Sequence, residues 1–557
     1  MSAQSQYEGV GPTELALAGD IQRLSLADSD MLHAGICSVV QETLFGGEVQ
    51  RVVAALAQLH PALRPPAKEQ QQQQQIMPVD GSYARMLAYI RRSAQETESD
   101  SRAPELVRGI EHLEDFLAEV FAKEDELRAG DDGHSSLLEK VPGDSNSLVL
   151  SRPAARRARA LLAACPRACI STQVEGERVG RLIGLLVAAI DAAKAAGLAA
   201  MICDGARVVR GEGLADGYCS ALSKAMLVSS LGLEAAALAF DMVAEGRALQ
   251  VPSVAELLRD AAALLKEVLL DCLVPLLDTA AEGELICAVT DAEQPLHGRL
   301  RTLLEAALAA GGAVSVLAAQ NALREEDTVP LVYVSISVLF CSGEALKRET
   351  DANLFESLRR SSQALLRGVF ELHADQRAWI LEEVLASLVK LPAQKRAQSA
   401  YRVVGGRAVQ FASVLLLQLL QATAHSPEDL TAGLEGGGLS VKECRLLLQR
   451  YRRAVAAASS SADFAIRYLI GRCAKRENRV AANESEYRAL LETLVNDCLA
   501  LLGHPQWPAA ELVVRIYSLH ILEILEEDKS DIAVRSMALE AAAQIASHIA
   551  QAMPAPK

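Results

Sequence analysis

The residues best able to bind a metal are isolated from one another along the chain. The ten histidines are dispersed, and no HExxH motif occurs among them. Histidines such as His520 and His548 are interpreted as ordinary helix-surface or half-buried residues. Cys165 and Cys169 stand four residues apart near a predicted helix end, but the nearest histidine is His134, in a predicted loop. A structural zinc ion needs four ligands, so we interpret both thiols as buried or incidental. The sequence predicts no metal site.

Glycines and paired carboxylates also occur without the context that catalysis requires. Gly436 to Gly438 follow no predicted strand and do not lead into a Gly-Lys-Ser/Thr phosphate loop. Glu382–Glu383 and Glu526–Glu527 fall on charged faces of predicted helices, where solvation is the ordinary outcome, and no pocket is indicated that would support acid–base chemistry. The sequence therefore predicts no enzymatic activity and no cofactor.

One segment is unusual in its charge. The whole chain carries a formal net charge of −16, which argues against a simple nucleic-acid coat but leaves room for a local basic surface. Residues 384–479 contain fifteen Lys and Arg against six Asp and Glu, and no acidic residue occurs between Val384 and Pro427. We define the basic ridge as its seven most prominent cations: Lys395, Arg396, Arg402, Arg407, Arg450, Arg452 and Arg453.

The basic ridge has two interpretations. It is either a set of solvated helix faces or a surface that binds a polyanion or an acidic partner. Tyr401 and Tyr451 are interleaved with it and could stack on a ligand or pack in the core. The residues alone leave both alternatives open.

The elements that would position these residues are helices. Of the 557 residues 50% are apolar but only 4% aromatic, because Ala and Leu, which favour helices, dominate. From residue 153 onward long helical patterns alternate with short Gly-, Pro- and Ser-rich breaks. Among them, helices are predicted at 407–424, 440–458 and 460–476, and Pro508 is predicted at a helix start. The apolar run 331–340 is the one ambiguous piece, and its helical neighbours favour a buried helix.

The pattern predicts an all-α fold, namely a HEAT- or armadillo-type α-solenoid of antiparallel helix pairs with a partly disordered N-terminal region. We divide the chain into three parts: a flexible region 1–80 with one helix and a Gln-rich linker, a region 81–150 with a helix and an acidic disordered linker, and the solenoid 151–557. Isolated cysteines, the lack of an apolar signal segment and the lack of about 18 uninterrupted apolar residues predict a soluble intracellular protein without a membrane partner.

Two motifs resemble a known family. The segment DQRAWILEEVLASLVKLPAQKRAQSAYRV (375–403) is similar to the part of the cohesin-loading adherins, the Nipped-B-like proteins, where "R-x-x-I-L-E-E-I" runs into "L-P-x-x-K-R". Downstream, LVNDCLALLGHPQWPAAEL (494–512) is similar to that family's "P-x-W-P-A-A-E-x-L" helix junction. The resemblance covers about 215–557 and is strongest over 350–557.

The resemblance implies a non-enzymatic scaffold of the nucleus and chromatin. Such a protein loads cohesin onto chromosomal DNA, stimulates the cohesin ATPase and supports sister chromatid cohesion. The implied partners are the SMC heads and kleisin subunit of cohesin, double-stranded DNA and a small helical-repeat loader subunit. Residues 1–200 match no part of the family that we can place, and the family continues beyond the last helix, so we expect a fragment or truncated gene product covering the first part of the solenoid.

Two other classes of protein remain as alternatives. A different HEAT-type adaptor, such as a nuclear-transport or kinase-associated scaffold, would show acidic inner helices and no concentrated basic ridge. An α-helical enzyme would need several titratable groups converging in one pocket.

Overall fold

A computed structural model describes residues 103–129, 135–142, 144–164, 176–207, 214–245, 252–278, 284–291, 294, 296–390, 400–402, 408–424, 441–474, 481–504, 506–526 and 532–552. The predicted flexible region 1–80 and the Cys165–Cys169 pair lie outside them. The described residues form two compact units, one ending at His373 and the other beginning at Ala374.

The first unit contains eleven described α-helices and one strand pair. In chain order they are α1 (Ala103–Arg128), β1 (Leu138–Val141), β2 (Asp144–Leu150), α2 (Arg152–Ala164), α3 (Gly176–Ala195), α4 (Leu198–Gly205), α5 (Asp216–Glu245), α6 (Pro252–Lys266), a π-helical turn (Glu267–Leu273) leading into α7 (Val274–Asp278), α8 (Glu284–Thr290), α9 (His297–Ala319), α10 (Glu325–Phe340) and α11 (Glu349–Leu372).

Helices of the first unit pack closely on one another. Helices α5, α9 and α11 pack side by side, while α6 packs on α3, α5 and α10, and α10 packs on α11. Gly232 permits the close approach of α5 to α3, because a Cβ there would lie 2.4 Å from that of Ala193. The ambiguous run 331–340 is part of α10 and largely buried, so its interpretation as a buried helix is confirmed.

The strand pair corrects one sequence prediction. Residues 138–147 were expected within a disordered acidic linker, but β1 and β2 pair antiparallel, with Leu138 opposite Leu150. The strands form because this segment contains apolar side chains. They are interspersed with Asp, Gly and Ser residues, so the sequence shows no clear strand pattern. They are buried against the helices: Leu137, Leu138, Val141, Leu148, Val149 and Leu150. Helix α1 packs on α2, and β2 packs on α3. Much of the region 81–150 therefore belongs to the same compact unit as α5.

The second unit contains α12 (Arg377–Lys390), β3 (Ala400–Arg402), β4 (Ala408–Gln410), α13 (Phe411–Thr423), α14 (Val441–Ala474), α15 (Ala481–Ala500), α16 (Pro508–Glu526) and α17 (Ile532–Ala552). Helix α14 packs against each of the other five helices of this unit. Pro508 is the first residue of α16, as predicted, since a helix start does not need its missing N–H.

Two predictions about this unit were wrong in detail. A break near residue 459 was expected, but α14 continues through it: the Ser461 hydroxyl donates to the Ala457 carbonyl, and Ala458 and Ala462 are buried. The helix predicted from residue 407 begins at Phe411 instead. The preceding residues form β4, which pairs with β3 so that Arg402 lies opposite Ala408.

All strands among the described residues belong to these two pairs, so the predicted helical fold class is confirmed. Three described helical segments, Arg178–Gly205, Asp216–Ala244 and His297–Ala319, are long and apolar enough to cross a membrane by length and composition. Packing inside the first unit accounts for much of this character in Asp216–Ala244, where Leu233, Leu238 and Phe240 are almost completely inaccessible to solvent.

Candidate polyanion-binding surface

The structure locates part of the basic ridge on two elements of the second unit. Arg402 is the last residue of β3, and Arg450, Arg452 and Arg453 lie in the N-terminal half of α14. The side chains of Arg452 and Arg453 are exposed. Lys395, Arg396 and Arg407 lie outside the described residues, so convergence of all seven cations on one face stays a prediction.

The arginines of α14 differ in their contacts from one end of the helix to the other. Arg467 donates to Asp463 at 2.9 Å, and Arg472 lies 3.7 Å from Glu382 with its guanidinium 4.9 Å from the Tyr468 ring centre. Among the carboxylates that the structure describes, none forms an ion pair with Arg452 or Arg453. In the N-terminal half of α14, Arg452 and Arg453 are thus exposed without an ion pair to a described carboxylate, whereas Arg467 and Arg472 of the C-terminal half contact side chains of the fold.

Two arginines of α2, in the first unit, form ion pairs with carboxylates of other helices. Arg152 and Arg156 of α2 both contact Glu305 of α9, at 3.1 and 3.2 Å, and Arg156 also donates to the buried Glu234 of α5 at 2.9 Å. The carboxyl of Glu305 loses hydration by burial, but the hydrogen bonds from Arg156 and Arg152 outweigh that loss and lower its pKa.

Helix α2 has two further ion pairs. Arg159 donates to Asp241 of α5 at 2.5 Å, and Arg157 lies 3.6 Å from Glu119 of α1. Burial raises the pKa of Asp241, although the adjacent Arg159 opposes the change. The positive charge of α2 is thus matched by carboxylates of α1, α5 and α9 and is not presented as a basic surface.

We did not single out Asp497 of α15 from the sequence. It is only 9% exposed, and its Oδ2 accepts hydrogen bonds from the Gln410 N–H at 3.0 Å and the Ser413 hydroxyl at 2.6 Å. Burial raises the pKa of Asp497, whereas its bonds to Ser413 and Gln410 lower it. A signal was available, since Asp497 stands among apolar residues that form the buried face of α15.

His520 of α16 joins two helices through carboxylates. Its Nε2 lies 2.7 Å from Asp463 Oδ1 of α14, and its Nδ1 lies 3.0 Å from Glu523 Oε2. Burial tends to raise the pKa of Asp463, but hydrogen bonds from His520 and Arg467 lower it on balance. The sequence indicates an ordinary helix-surface or half-buried histidine at position 520, but His520 is buried, and these contacts give it a structural role between α14 and α16.

The motifs that carry the family resemblance are largely structural. Ile380 and Leu381 of the first motif are fully buried in α12, while the neighbouring Glu382 is exposed. In the second motif Ala509 and Ala510 are buried in the first turn of α16. No group of three or more His, Cys, Asp or Glu side chains suited to hold a metal ion occurs among the described residues.

Helices packed on one another, with two short strand pairs among the described residues, define the class of protein: a helical-repeat solenoid, whose candidate interaction surface includes the exposed Arg452 and Arg453. The fold is similar to that of the solved Chaetomium thermophilum cohesin loader SCC2, C-terminal fragment, with a TM-score of 0.65 and 22% sequence identity. The match covers 81% of this chain and 32% of that chain. This likeness confirms the solenoid fold.

Sequence comparison gives relatives of the same kind, although no family model matches the chain. The Schizosaccharomyces pombe sister chromatid cohesion protein mis4 is 24% identical over 241 residues, or 41% of this chain and 15% of mis4. Nipped-B-like protein B of Danio rerio is 27% identical over 191 residues, or 33% of this chain and 6% of that protein. Drosophila melanogaster Nipped-B protein is 27% identical over 227 residues, or 38% of this chain and 10% of Nipped-B.

These relatives confirm the resemblance seen in the two motifs. The chain is similar to part of the Nipped-B and mis4 proteins of sister chromatid cohesion, and it matches at most 15% of the length of these three relatives.

Proposed function

We propose that this chain is a non-enzymatic scaffold of the nucleus that helps to load cohesin onto chromosomal DNA and stimulates the cohesin ATPase, and so supports sister chromatid cohesion. Its partners are the SMC heads and kleisin of cohesin, double-stranded DNA and a small helical-repeat loader subunit. The relatives supply the link to cohesion, and the solenoid offers a long surface able to hold several partners.

The observation that carries the DNA part of the proposal is the exposed Arg452–Arg453 pair, which no described carboxylate neutralises. The pair belongs to a segment with fifteen basic and six acidic residues in a chain of net charge −16. Phosphate contacts are individually weak and nearly additive, and each one releases condensed counterions. A ridge of several such cations would therefore bind duplex DNA without reading its sequence.

Charge reversal tests the ridge. The variants are Lys395→Glu with Arg396→Glu, and Arg452→Glu with Arg453→Glu, measured by gel-shift titration on duplex DNA at two salt concentrations. Each double variant should weaken binding about tenfold at the lower salt concentration, for any DNA sequence, and should flatten the dependence of log K on log salt by about 2. Helix content should stay unchanged, since exposed charges contribute little to stability.

A matched control changes the net charge equally in the first unit. Lys123→Glu with Arg207→Glu alters exposed side chains that lie in local pairs with Glu126 and Asp204. This control should leave DNA affinity close to that of the unmodified chain. A cohesin pull-down is run in parallel: if cohesin capture falls while DNA affinity holds, the ridge binds an acidic cohesin surface. If neither changes in the ridge variants, the ridge is a solvated face and its assignment to DNA or cohesin is wrong.

A further inference from the structure

Helix α13 lacks a capping side chain of its own. Its N-cap is Gln410, in extended conformation with φ −71° and ψ 147°, and the Gln410 side chain makes no capping bond. In an ordinary capping box the residue three positions into the helix returns a carboxylate to the N-cap N–H. Here that position is Ser413, whose short hydroxyl bonds instead to Asp497.

Asp497 completes this cap from a distant part of the chain. One carboxylate oxygen, Oδ2, receives both the Gln410 N–H and the Ser413 hydroxyl. The carboxylate thereby ties α15 to the start of α13 across more than 80 residues of sequence. Because a buried carboxylate is costly unless it is hydrogen-bonded, both bonds have to stay in place for Asp497 to be tolerated there.

The bond to Gln410 also holds β4, which pairs with β3, the strand that carries Arg402. Gln410 is the last residue of β4, where it pairs with Ala400, and Arg402 is the other end of β3, opposite Ala408. Strand β4 contacts α15 directly as well. Whatever holds Gln410 therefore sets the position of the β3–β4 pair and the backbone of Arg402.

We propose that Asp497 is a positioning residue of the basic ridge: it fixes the β3–β4 pair on α15 and thereby the backbone position from which Arg402 would contact a phosphate backbone. This inference rests on the proposed function. Asp497 does not touch the ligand, and it acts through Gln410 and Ser413. Because Asp497 is negatively charged, its removal changes DNA affinity in opposite directions by electrostatics and by loss of positioning. Removing an acidic group near a cationic surface should by electrostatics alone strengthen DNA binding, whereas loss of positioning should weaken it.

The test compares Asp497→Ala with Asp497→Asn in the full chain. The alanine variant loses the acceptor and the charge, so we expect at least tenfold faster amide hydrogen exchange over 408–413 and duplex DNA binding about three- to tenfold weaker. The asparagine variant keeps an acceptor oxygen and loses only the charge. In this variant amide hydrogen exchange over 408–413 should stay as slow as in the unmodified chain, and DNA should bind at least as tightly.

Ser413→Ala provides a second, milder variant in case Asp497→Ala fails to fold. It removes one of the two bonds and keeps the carboxylate, so exchange over 408–413 should rise by a smaller factor while the exchange of α17 is unchanged. The positioning role would be overturned if Asp497→Ala left amide hydrogen exchange over 408–413 unchanged. It would also be overturned if exchange became faster while DNA binding stayed as tight as before.

The ridge variants separate this inference from the function on which it rests. If Arg452→Glu with Arg453→Glu weakens DNA binding but Asp497→Ala does not, the ridge stands and the positioning role is rejected. If the ridge reversals leave DNA binding unchanged, DNA binding by the ridge is rejected, and the positioning role for a phosphate backbone is rejected with it.

Discussion

Helices α2 and α14 are both rich in arginine, but their side chains meet different surroundings. In α2, Arg152, Arg156 and Arg159 bond to carboxylates of α5 and α9, including a Glu234 that is 1% exposed. In the N-terminal half of α14, Arg452 and Arg453 are exposed and no described carboxylate pairs with them.

The difference teaches that arginine density does not by itself predict an anion-binding surface. A guanidinium that already holds one or two carboxylates is neutralised, and an external phosphate would have to displace them. An exposed guanidinium without such a partner keeps its charge available. The surplus of positive charge over 384–479 is therefore relevant to anion binding only where, as at Arg452 and Arg453, the side chains are exposed and no described carboxylate pairs with them.

The largest effect is expected where α2 is joined to α5. Glu234→Ala leaves Arg152 and Arg156 without the buried partner that both of them contact. Breaking a buried ion pair from one side typically costs about 3–5 kcal/mol, and partial exposure of the arginines reduces this to roughly 2–3 kcal/mol. Urea unfolding measures this loss of unfolding free energy, and hydrogen exchange of α2 and α5 shows where it falls.

The control for that prediction is Glu119→Ala, which removes the exposed partner of Arg157. It should cost less than about 1 kcal/mol. Equal losses of unfolding free energy in the two variants would show that the buried Glu234 stabilises the fold no more than the exposed Glu119 does. The contrast between α2 and α14 would then be weaker.

An intermediate effect is expected from neutralising single arginines in the two helices. Arg156→Met removes a side chain that bonds to Glu234 and Glu305, and should destabilise the first unit by about 1–2 kcal/mol. Arg452→Met removes an exposed side chain and should change stability by less than about 0.5 kcal/mol. Paired thermal melts give both values, and a cost for Arg452→Met as large as for Arg156→Met would mean that Arg452 is engaged in the fold.

The smallest effect concerns pH. The groups that face Asp463 are His520 and Arg467, and Glu523 faces the other nitrogen of His520. Because the folded pKa of Asp463 is lowered, its ionised form stabilises the fold above the unfolded-state pKa of about 3.9, and this contribution is lost as pH falls through the lower folded value.

Asp463→Asn should therefore be less stable than the unmodified chain near pH 6, by less than about 1 kcal/mol because the side chain is partly exposed. The difference should shrink as pH falls below about 4. Urea unfolding of both chains from pH 2 to 6 measures it. A difference that stays constant over this range would show that ionisation of Asp463 is not what joins α14 to α16.

Much of the fold was determined by local sequence. Apolar residues at helical spacing predicted most of the helices from α2 to α17, and the missing N–H of Pro508 predicted the start of α16. The two family motifs were recognisable because they include buried side chains such as Ile380 and Ala510, which must keep their size and spacing to fit the core.

Only the tertiary structure decided which polar groups meet. The partners of Arg156 and of Gln410 lie more than 75 residues away in sequence, and no local pattern specifies such pairs. Strands β1 and β2 were missed for a related reason: their apolar residues are few, and they become a stable pair only when the helices of the first unit cover them. Sequence composition showed where positive charge is in excess, but burial and the reach of distant carboxylates decided which arginines are neutralised inside the protein, because an ion pair requires two charges to be close in space and not in sequence.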